Sequence, residues 1–302
     1  MSLMLHRAGL MTVGVPADAL VFSTGDYNAE WTAPVIVAST LVDADVVWRR
    51  PDGTTFTGKT PAMTEFSQIG TYWLMPSDWA AVTQLVFGAS AYKDFLHTFQ
   101  AGKHLSKMTT LSYFDLQRTT NLTQSIEGWV FPNSVTNLQF RQSALKGDIS
   151  ELQLPTQLEQ LHLGDNDFEG DVTQWSLPEG LILIYLSDNS KLEGDISQWD
   201  GSRLPTSLLR LEGTKCTYGT GQAFRAITDA IWRIWFNGCN LDEADVDRVL
   251  VDLDESGIDN SVRAKVVQVH GNNDAPTATG IAAGLNLRDN KGWTVTVTGG
   301  LD

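Results

Sequence analysis

Val135-Thr-Asn-Leu138-Gln-Phe140-Arg-Gln-Ser143-Ala-Leu145-Lys-Gly-Asp-Ile-Ser150 recurs as Leu158-Glu-Gln-Leu161-His-Leu163-Gly-Asp-Asn166-Asp-Phe168-Glu-Gly-Asp-Val-Thr173. It recurs again as Leu181-Ile-Leu-Ile184-Tyr-Leu186-Ser-Asp-Asn189-Ser-Lys-Leu192-Glu-Gly-Asp-Ile-Ser197, and successive frames begin 23 residues apart. Positions 1, 4 and 6 of each frame are apolar and position 9 is small and polar. That pattern suits a short strand with one buried face, followed by a turn. The turn leaves N–H and C=O groups inside, and a compact hydrogen-bonding side chain can satisfy them.

The frame extends outward from these three copies. Upstream stand Leu111-Ser-Tyr-Phe114-Asp-Leu116 and Val82-Thr-Gln-Leu85-Val-Phe87. Downstream stand Leu208-Leu-Arg-Leu211-Glu-Gly213, Ile231-Trp-Arg-Ile234-Trp-Phe236 and Ala264-Lys-Val-Val267-Gln-Val269. The ninth positions then read Ser90, Thr119, Ser143, Asn166, Asn189, Cys216, Cys239 and Asn272, all small polar residues or Cys. This resembles the leucine-rich repeat, with its L-x-x-L-x-L-x-x-N/C-x-L frame. The Leu-x-Gly-Asp-Ile words partly match the plant-type subclass, with Ser or Thr where that subclass has Pro. The resemblance implies a mostly β fold: a right-handed solenoid of about eight rungs of short parallel strands, each stacking apolar rows on its neighbours. Gln174-Trp175 and Gln198-Trp199 recur at equivalent places and are expected to pack between turns on the far side.

Ahead of the repeats, residues 1–11 read as an arm and residues 12–80 as a small β module. Val35-Ile36-Val37, Val46-Val47-Trp48, Thr54–Thr57 and Gly70–Leu74 are strand-like, with Pro51-Asp52-Gly53 as a turn. A Trp in one strand and a Gly-x-Tyr near the end resemble immunoglobulin-like or PKD-like sandwiches. Residues 81–302 form the expected solenoid, with a helical capping region from about residue 240. There Asn240 or Asp242 can cap a helix whose Val246, Val249, Leu250 and Leu253 share one face, and Gly257 can end it. A second helix is expected from about Thr277 to Asn286. This tail resembles the ends of bacterial and phage surface proteins with such repeats, which implies a microbial origin; a cell-surface, secreted or virion-associated protein is expected.

A net charge of -15 opposes binding to phosphate backbones, so nucleic acid is not expected as a partner. No apolar run approaches a membrane span, and the start is a poor signal peptide. Two cysteines make no disulfide framework; as neighbouring ninth-position residues, Cys216 and Cys239 have a structural role in prospect. Asp252-Leu-Asp254-Glu-Ser256-Gly257 has the opening of a calcium loop, but its twelfth position is Arg263, so it reads as a helix end and no metal is expected. Nucleotide-binding and hydrolase motifs are missing, no cofactor is expected, and the chain reads as a non-enzyme.

Frame positions 2, 3, 5, 7 and 8 point away from the core. They make a polar stripe interleaved with aromatics, in which Tyr113, Gln139, Arg141, His162, Tyr185, Arg210, Arg233 and Trp235 are the expected contacts for a protein or peptide partner. Aromatics beside arginines are the usual composition of binding hot spots. The same rings could stack on sugars, which leaves a glycan-binding adhesin or a phage receptor-binding protein as the alternative. Trp232 and Trp235 could also be covered by neighbouring turns. Asp165 and Asp188, at position 8 of adjacent frames, could share a proton or a cation and serve hydrolysis, or simply be solvated.

Overall fold

The computed structural model describes residues 18–25, 33–88 and 96–301. Seven strands come first: β1 (Leu20–Thr24), β2 (Val35–Ala38), β3 (Val46–Arg49), β4 (Thr55–Thr57), β5 (Gly70–Pro76), β6 (Val82–Val86) and β7 (Leu96–Phe99). After a short helix, α1 (Gly102–Leu105), come β8 (Tyr113–Asp115), β9 (Asn137–Gln139), β10 (Lys146–Asp148), β11 (Gln160–His162) and β12 (Asp167–Asp171). The chain continues with β13 (Leu183–Tyr185), β14 (Lys191–Asp195), β15 (Leu208–Arg210), β16 (Lys215–Thr217) and β17 (Arg233–Trp235). It closes with α2 (Glu243–Glu255), β18 (Val266–Val269), α3 (Ala278–Asp289) and β19 (Thr294–Val297).

These elements build a mixed α/β fold with three sheets. One has five strands in the order β4-β3-β5-β1-β7, all antiparallel neighbours. One has ten strands, β19-β18-β17-β15-β13-β11-β9-β8-β6-β2, and is mixed: β2 runs antiparallel to β6 while the rest pair in parallel. The third has four parallel strands, β10-β12-β14-β16.

This corrects the expected mostly β solenoid of eight rungs behind a separate sandwich. The 23-residue period is confined to the middle of the chain. In the ten-stranded sheet Leu138, Leu161 and Ile184 are register partners at that spacing. Beyond them the partners Ile184, Leu209, Ile234, Val267 and Val295 stand 25, 25, 33 and 28 residues apart. The last two of these connections carry α2 and α3, so the C-terminal end is built of strand–helix–strand crossovers. At the other end the sheet boundaries ignore the expected division near residue 80. Strand β2, from before it, lies on the ten-stranded sheet, and β7, from after it, lies on the five-stranded one. The expected arm, residues 1–11, and Ser90 lie outside the described residues.

One core unites the sheets. Leu85, Phe114, Leu138, Leu161, Ile184, Leu209, Ile234 and Val267 form its inward column from the ten-stranded sheet, all fully buried. Phe87, Phe99, Phe114 and Phe140 continue it toward the five-stranded sheet in a chain of edge and tilted ring contacts 4.6–5.9 Å apart.

The two helices form for local reasons. Asp242 caps α2 by accepting from Asp245 N–H, and Gly257, at φ +77°, follows the C-terminal Ser256. Thr277 caps α3 in the same manner and ties its start to Asp247 of α2. Gly284 lies where a Cβ would meet Leu301 at 2.7 Å, so the two helices and the chain's end pack closely there.

Inside the turns, Asn166 accepts from Ser143 and Leu145 N–H and donates to Phe140 and Leu163 C=O. Asn189 repeats this one strand on, bonding Phe168 N–H and the carbonyls of Leu163 and Leu186. Thr119 and Ser143 both donate to Leu116 C=O. Cys239 donates its thiol to Leu211 C=O at 3.1 Å. Two expected members of this column are corrected. Cys216 lies on β16 in the four-stranded sheet, opposite Gly194, and Thr214 instead bonds Leu211 C=O. Asn272 is exposed and bonded to Asn240, while Asn273 is the buried residue that donates to Phe236 C=O.

The first correction is a register slip of two. Leu209, not Leu211, pairs with Ile184 and Ile234, so the frame begins at Thr206. Both cysteines are free thiols, and burial pushes their pKa up, to about 12 for Cys216 and about 11 for Cys239.

On the far side, Asp148, Asp171 and Asp195 each accept from the N–H two residues on. Ser150 and Thr173 receive the N–H of Asp171 and Asp195 in the next strand. A hydroxyl is needed here to join strands, which accounts for Ser and Thr where the resembled subclass carries Pro. Trp175 and Trp199 are buried, and their indoles donate to Ile149 and Val172 C=O, both at 2.9 Å.

Candidate functional site

The outward face of the ten-stranded sheet carries a continuous alternation of guanidinium groups and rings. Parallel pairing in register sets it up, because equivalent residues of neighbouring strands stand about 4.8 Å apart. Tyr185, Arg210 and Trp235 are register partners on β13, β15 and β17, and His162 precedes them on β11. Arg141, just past β9, reaches Tyr185, with its guanidinium carbon 5.2 Å from the ring centroid. Arg210 lies 4.8 Å from Tyr185 and also 4.8 Å from Trp235. Arg233 follows, 5.9 Å from Trp235 and 3.7 Å from Trp232, and Arg263 lies 3.9 Å from Trp232. Four guanidinium groups and three rings thus hold one another by cation–π contact.

Tyr185 is the corrected member of the expected contact set. It is 6% exposed, so it supports the neighbouring arginines and presents little surface of its own. The sequence permits this burial through Gly164. A Cβ there would lie 1.9 Å from the tyrosine ring, so any larger residue would lift the ring off the sheet. Burial also raises the Tyr185 pKa, against the lowering pull of Arg210 and Arg141. His162 stacks on Tyr185 at 6.2 Å, and burial, assisted by Arg141, pushes its pKa down to about 4.

Carboxylates compensate part of the stack. Asp165 accepts from Arg141 at 2.8 Å, which raises the arginine's pKa. Glu212 accepts from both Nε and Nη2 of Arg210, at 3.1 and 2.7 Å. Asp188 has its pKa raised by burial and by Asp165 and Glu212. Asp165 and Asp188 adopt positive φ, 57° and 60°, at a column where Gly213, Gly238 and Gly271 stand in the turns after later strands. Asp tolerates that conformation better than most residues, so the backbone accounts for both positions. No carboxylate lies within ion-pair distance of Arg233 or Arg263 among the described residues.

Tyr113 and Gln139 stand outside the stack. Tyr113 donates to Asp115 at 3.2 Å, and its pKa is pushed up to about 12 by burial and by that carboxylate. Gln139 bonds Asn137. Trp232 is half-buried and donates its indole N–H to Ser207 Oγ at 2.8 Å; the indole N–H of Trp235 is buried and finds no acceptor among the described residues. Sequence reasoning missed Arg263 as a contact, because it belongs to a loop with no repeat position of its own.

The acidic words elsewhere are occupied. Asp252 is buried and accepts from Tyr218 at 2.9 Å and Arg225 at 2.6 Å, and Asp254 accepts from Lys291 and Asn286. A cavity of about 520 Å³ opens beside the stack, lined by Gln142, Lys146, Asp165 and Asn166 among others. Among the described residues no helix is long and apolar enough to cross a membrane. Comparison with family models and with curated proteins returned no match.

Proposed function

We propose that this chain is a non-enzymatic recognition protein that binds a protein or peptide partner on the outward face of its ten-stranded sheet. The observation that carries this reading is the guanidinium–ring stack from Arg141 to Arg263. It fixes flexible arginine side chains before any partner arrives, which lowers the ordering cost of binding. Arginine and tryptophan are also the residue types that dominate interface energetics. The contacts concentrate at Trp232, Arg233, Trp235 and Arg263, with Arg141, His162, Tyr185 and Arg210 as supports.

The stack weighs against a glycan reading. Two guanidinium groups already lie within 4 Å of the Trp232 ring centroid, which leaves less ring surface for a sugar. It also weighs against hydrolysis, since Asp165 is held by Arg141 and its neighbour Asp188 takes a conformation the backbone explains.

The test is selection of binders from a random peptide display library on the immobilised chain. Peptides should be recovered whose affinity falls at least roughly tenfold in a Trp232→Ala, Trp235→Ala variant with unchanged circular dichroism. Recovery of no peptide, or of peptides indifferent to both substitutions, would retire the reading.

A further inference from the structure

The arginines of the stack differ in what they have left to offer. Arg141 gives its Nε–H to Asp165, and Arg210 gives both Nε and Nη2 to Glu212. Arg233 and Arg263 have ring contacts but no carboxylate within ion-pair distance among the described residues, and Arg263 is exposed. In a chain with net charge -15, two neighbouring guanidinium groups without an acid are an exception to the surface around them. Each has its guanidinium carbon within 4 Å of the Trp232 ring centroid and donates no side-chain hydrogen bond among the described residues, so its N–H groups are free to meet a ligand. A guanidinium edge matches a carboxylate in bidentate geometry.

The register places apolar side chains next to this pair. Leu183, Leu208, Arg233 and Val266 are successive register partners on β13, β15, β17 and β18, all half-buried on the outward side. Ile182, one residue before Leu183, is 37% exposed. An apolar strip therefore runs along the sheet directly into Arg233. Acidic side chains border the area: Glu159 and Asp188 are exposed, and Glu212 is half-buried. These would repel a dense polyanion, whereas one or two carboxylates aimed at Arg233 and Arg263 avoid them.

Resting on the recognition reading above, we propose that Arg233, Arg263 and Trp232, with Leu183 and Leu208 alongside, form a docking site for an acidic polypeptide segment in which an apolar side chain neighbours a carboxylate. The guanidinium edges take the carboxylate and the leucine strip takes the apolar side chain. Charge complementarity sets the class of partner, and the strip sets the spacing.

The peptides recovered by display selection provide the experiment. Their sequences should be enriched in Asp or Glu beside Leu, Ile, Val or Phe. Binding of one such peptide, measured by fluorescence anisotropy on the full chain, should weaken at least roughly tenfold in Arg233→Gln, Arg263→Gln, in line with loss of charged hydrogen bonds. The Arg233→Lys, Arg263→Lys variant keeps the charge without the fork and should fall between the two. Arg203→Gln, at a residue paired with Asp200 and bonded to Leu177 C=O, should bind as the unaltered chain does. A complementary measurement needs no altered protein: replacing the peptide's Asp and Glu with Asn and Gln should cost as much as the double Gln substitution. Selected peptides without acidic enrichment, or an affinity that survives either change, would overturn the acidic-segment proposal while leaving recognition on this face standing. Failure to select any peptide would remove both.

Discussion

The middle of the ten-stranded sheet and its C-terminal end are built from similar residues to different ends. In the middle, at β9 to β13, arginine is paired with carboxylate, and the turn interior is closed by Asn166 and Asn189. Toward β17 and β18 the arginines lose their acids, and the turns after β15 and β17 are closed by Thr214 and Cys239, which make fewer bonds, before an Asn, Asn273, returns after β18. The same cation–π stack crosses both regions. What separates them is whether a neighbouring residue has already taken the guanidinium edge. Residue type alone therefore says little about which arginine is available; pairing decides it, and pairing depends on which position of which strand carries the acid.

The largest effect should come from breaking the inside of the middle region. Asn189 is fully buried and bonds Phe168 N–H and the carbonyls of Leu163 and Leu186. Asn189→Ala strands all of these without water to replace the amide, and a cost of about 3–5 kcal/mol is expected. Cys239→Ala removes one weak thiol donor and a small volume, for about 1–2 kcal/mol. Urea unfolding of the two variants measures the contrast. Equal losses would mean that the two turn interiors are closed equally well and that the difference between the regions is confined to the surface.

The parts of this molecule that were legible in the sequence are those where one local rule acts alone. The apolar columns at Leu138, Leu161 and Ile184 and the buried Asn166 and Asn189 follow from a strict 23-residue frame. The helix around Val246 to Leu253 follows from its caps and its single apolar face. Reading failed where two rules competed. Leu209 and Leu211 offered two phases, and a Cys at 216 made the wrong one attractive. The warning was Gly213 at an inward position, which would have buried no side chain; in the observed register Leu211 fills that place. Both C-terminal helices were expected, but as a cap; register partners 33 and 28 residues apart make them crossovers between sheet strands and change the fold class. The sheet exchange of β2 and β7 depends on pairing distant in sequence, for which no local signal exists. At the site, ring and arginine positions were readable from spacing. The burial of Tyr185 required knowing that Gly164, just past the preceding strand, makes room for it.

A smaller effect sharpens the contrast between paired and unpaired arginines. Arg210→Gln leaves Glu212 beside Asp188, two acids without their shared cation, and should lower stability by about 0.5–1 kcal/mol. Arg233→Gln removes no ion pair and should change stability by less than about 0.5 kcal/mol. High salt should shrink the first loss and leave the second as it is. If Arg233→Gln is as costly as Arg210→Gln, then Arg233 is a structural member of the stack, and its availability to a partner is in doubt.

The last effect is silent at neutral pH and emerges in acid. In the folded chain His162 has its pKa pushed down to about 4 by burial and Arg141, against an ordinary value of 6.5. Between those two values the unfolded chain binds a proton that the folded chain refuses. Stability therefore rises with pH across this window: it is fully present above about 6.5 and is lost as pH falls toward 4. His104 behaves alike, pushed to about 4 by burial with Lys103 and Lys107. Asp188, whose pKa is raised, contributes with the opposite sign from 3.8 upward. Both of these persist in His162→Gln, so the difference between the two proteins isolates His162. Melting temperatures from pH 7 to pH 4 should fall less steeply in His162→Gln than in the unaltered chain. Parallel curves would show that His162 takes up its proton in the folded state as readily as in the unfolded one. The face around Tyr185 would then be wetter than its packing indicates, and the middle of the sheet would offer a partner more than the rigid support assigned to it here.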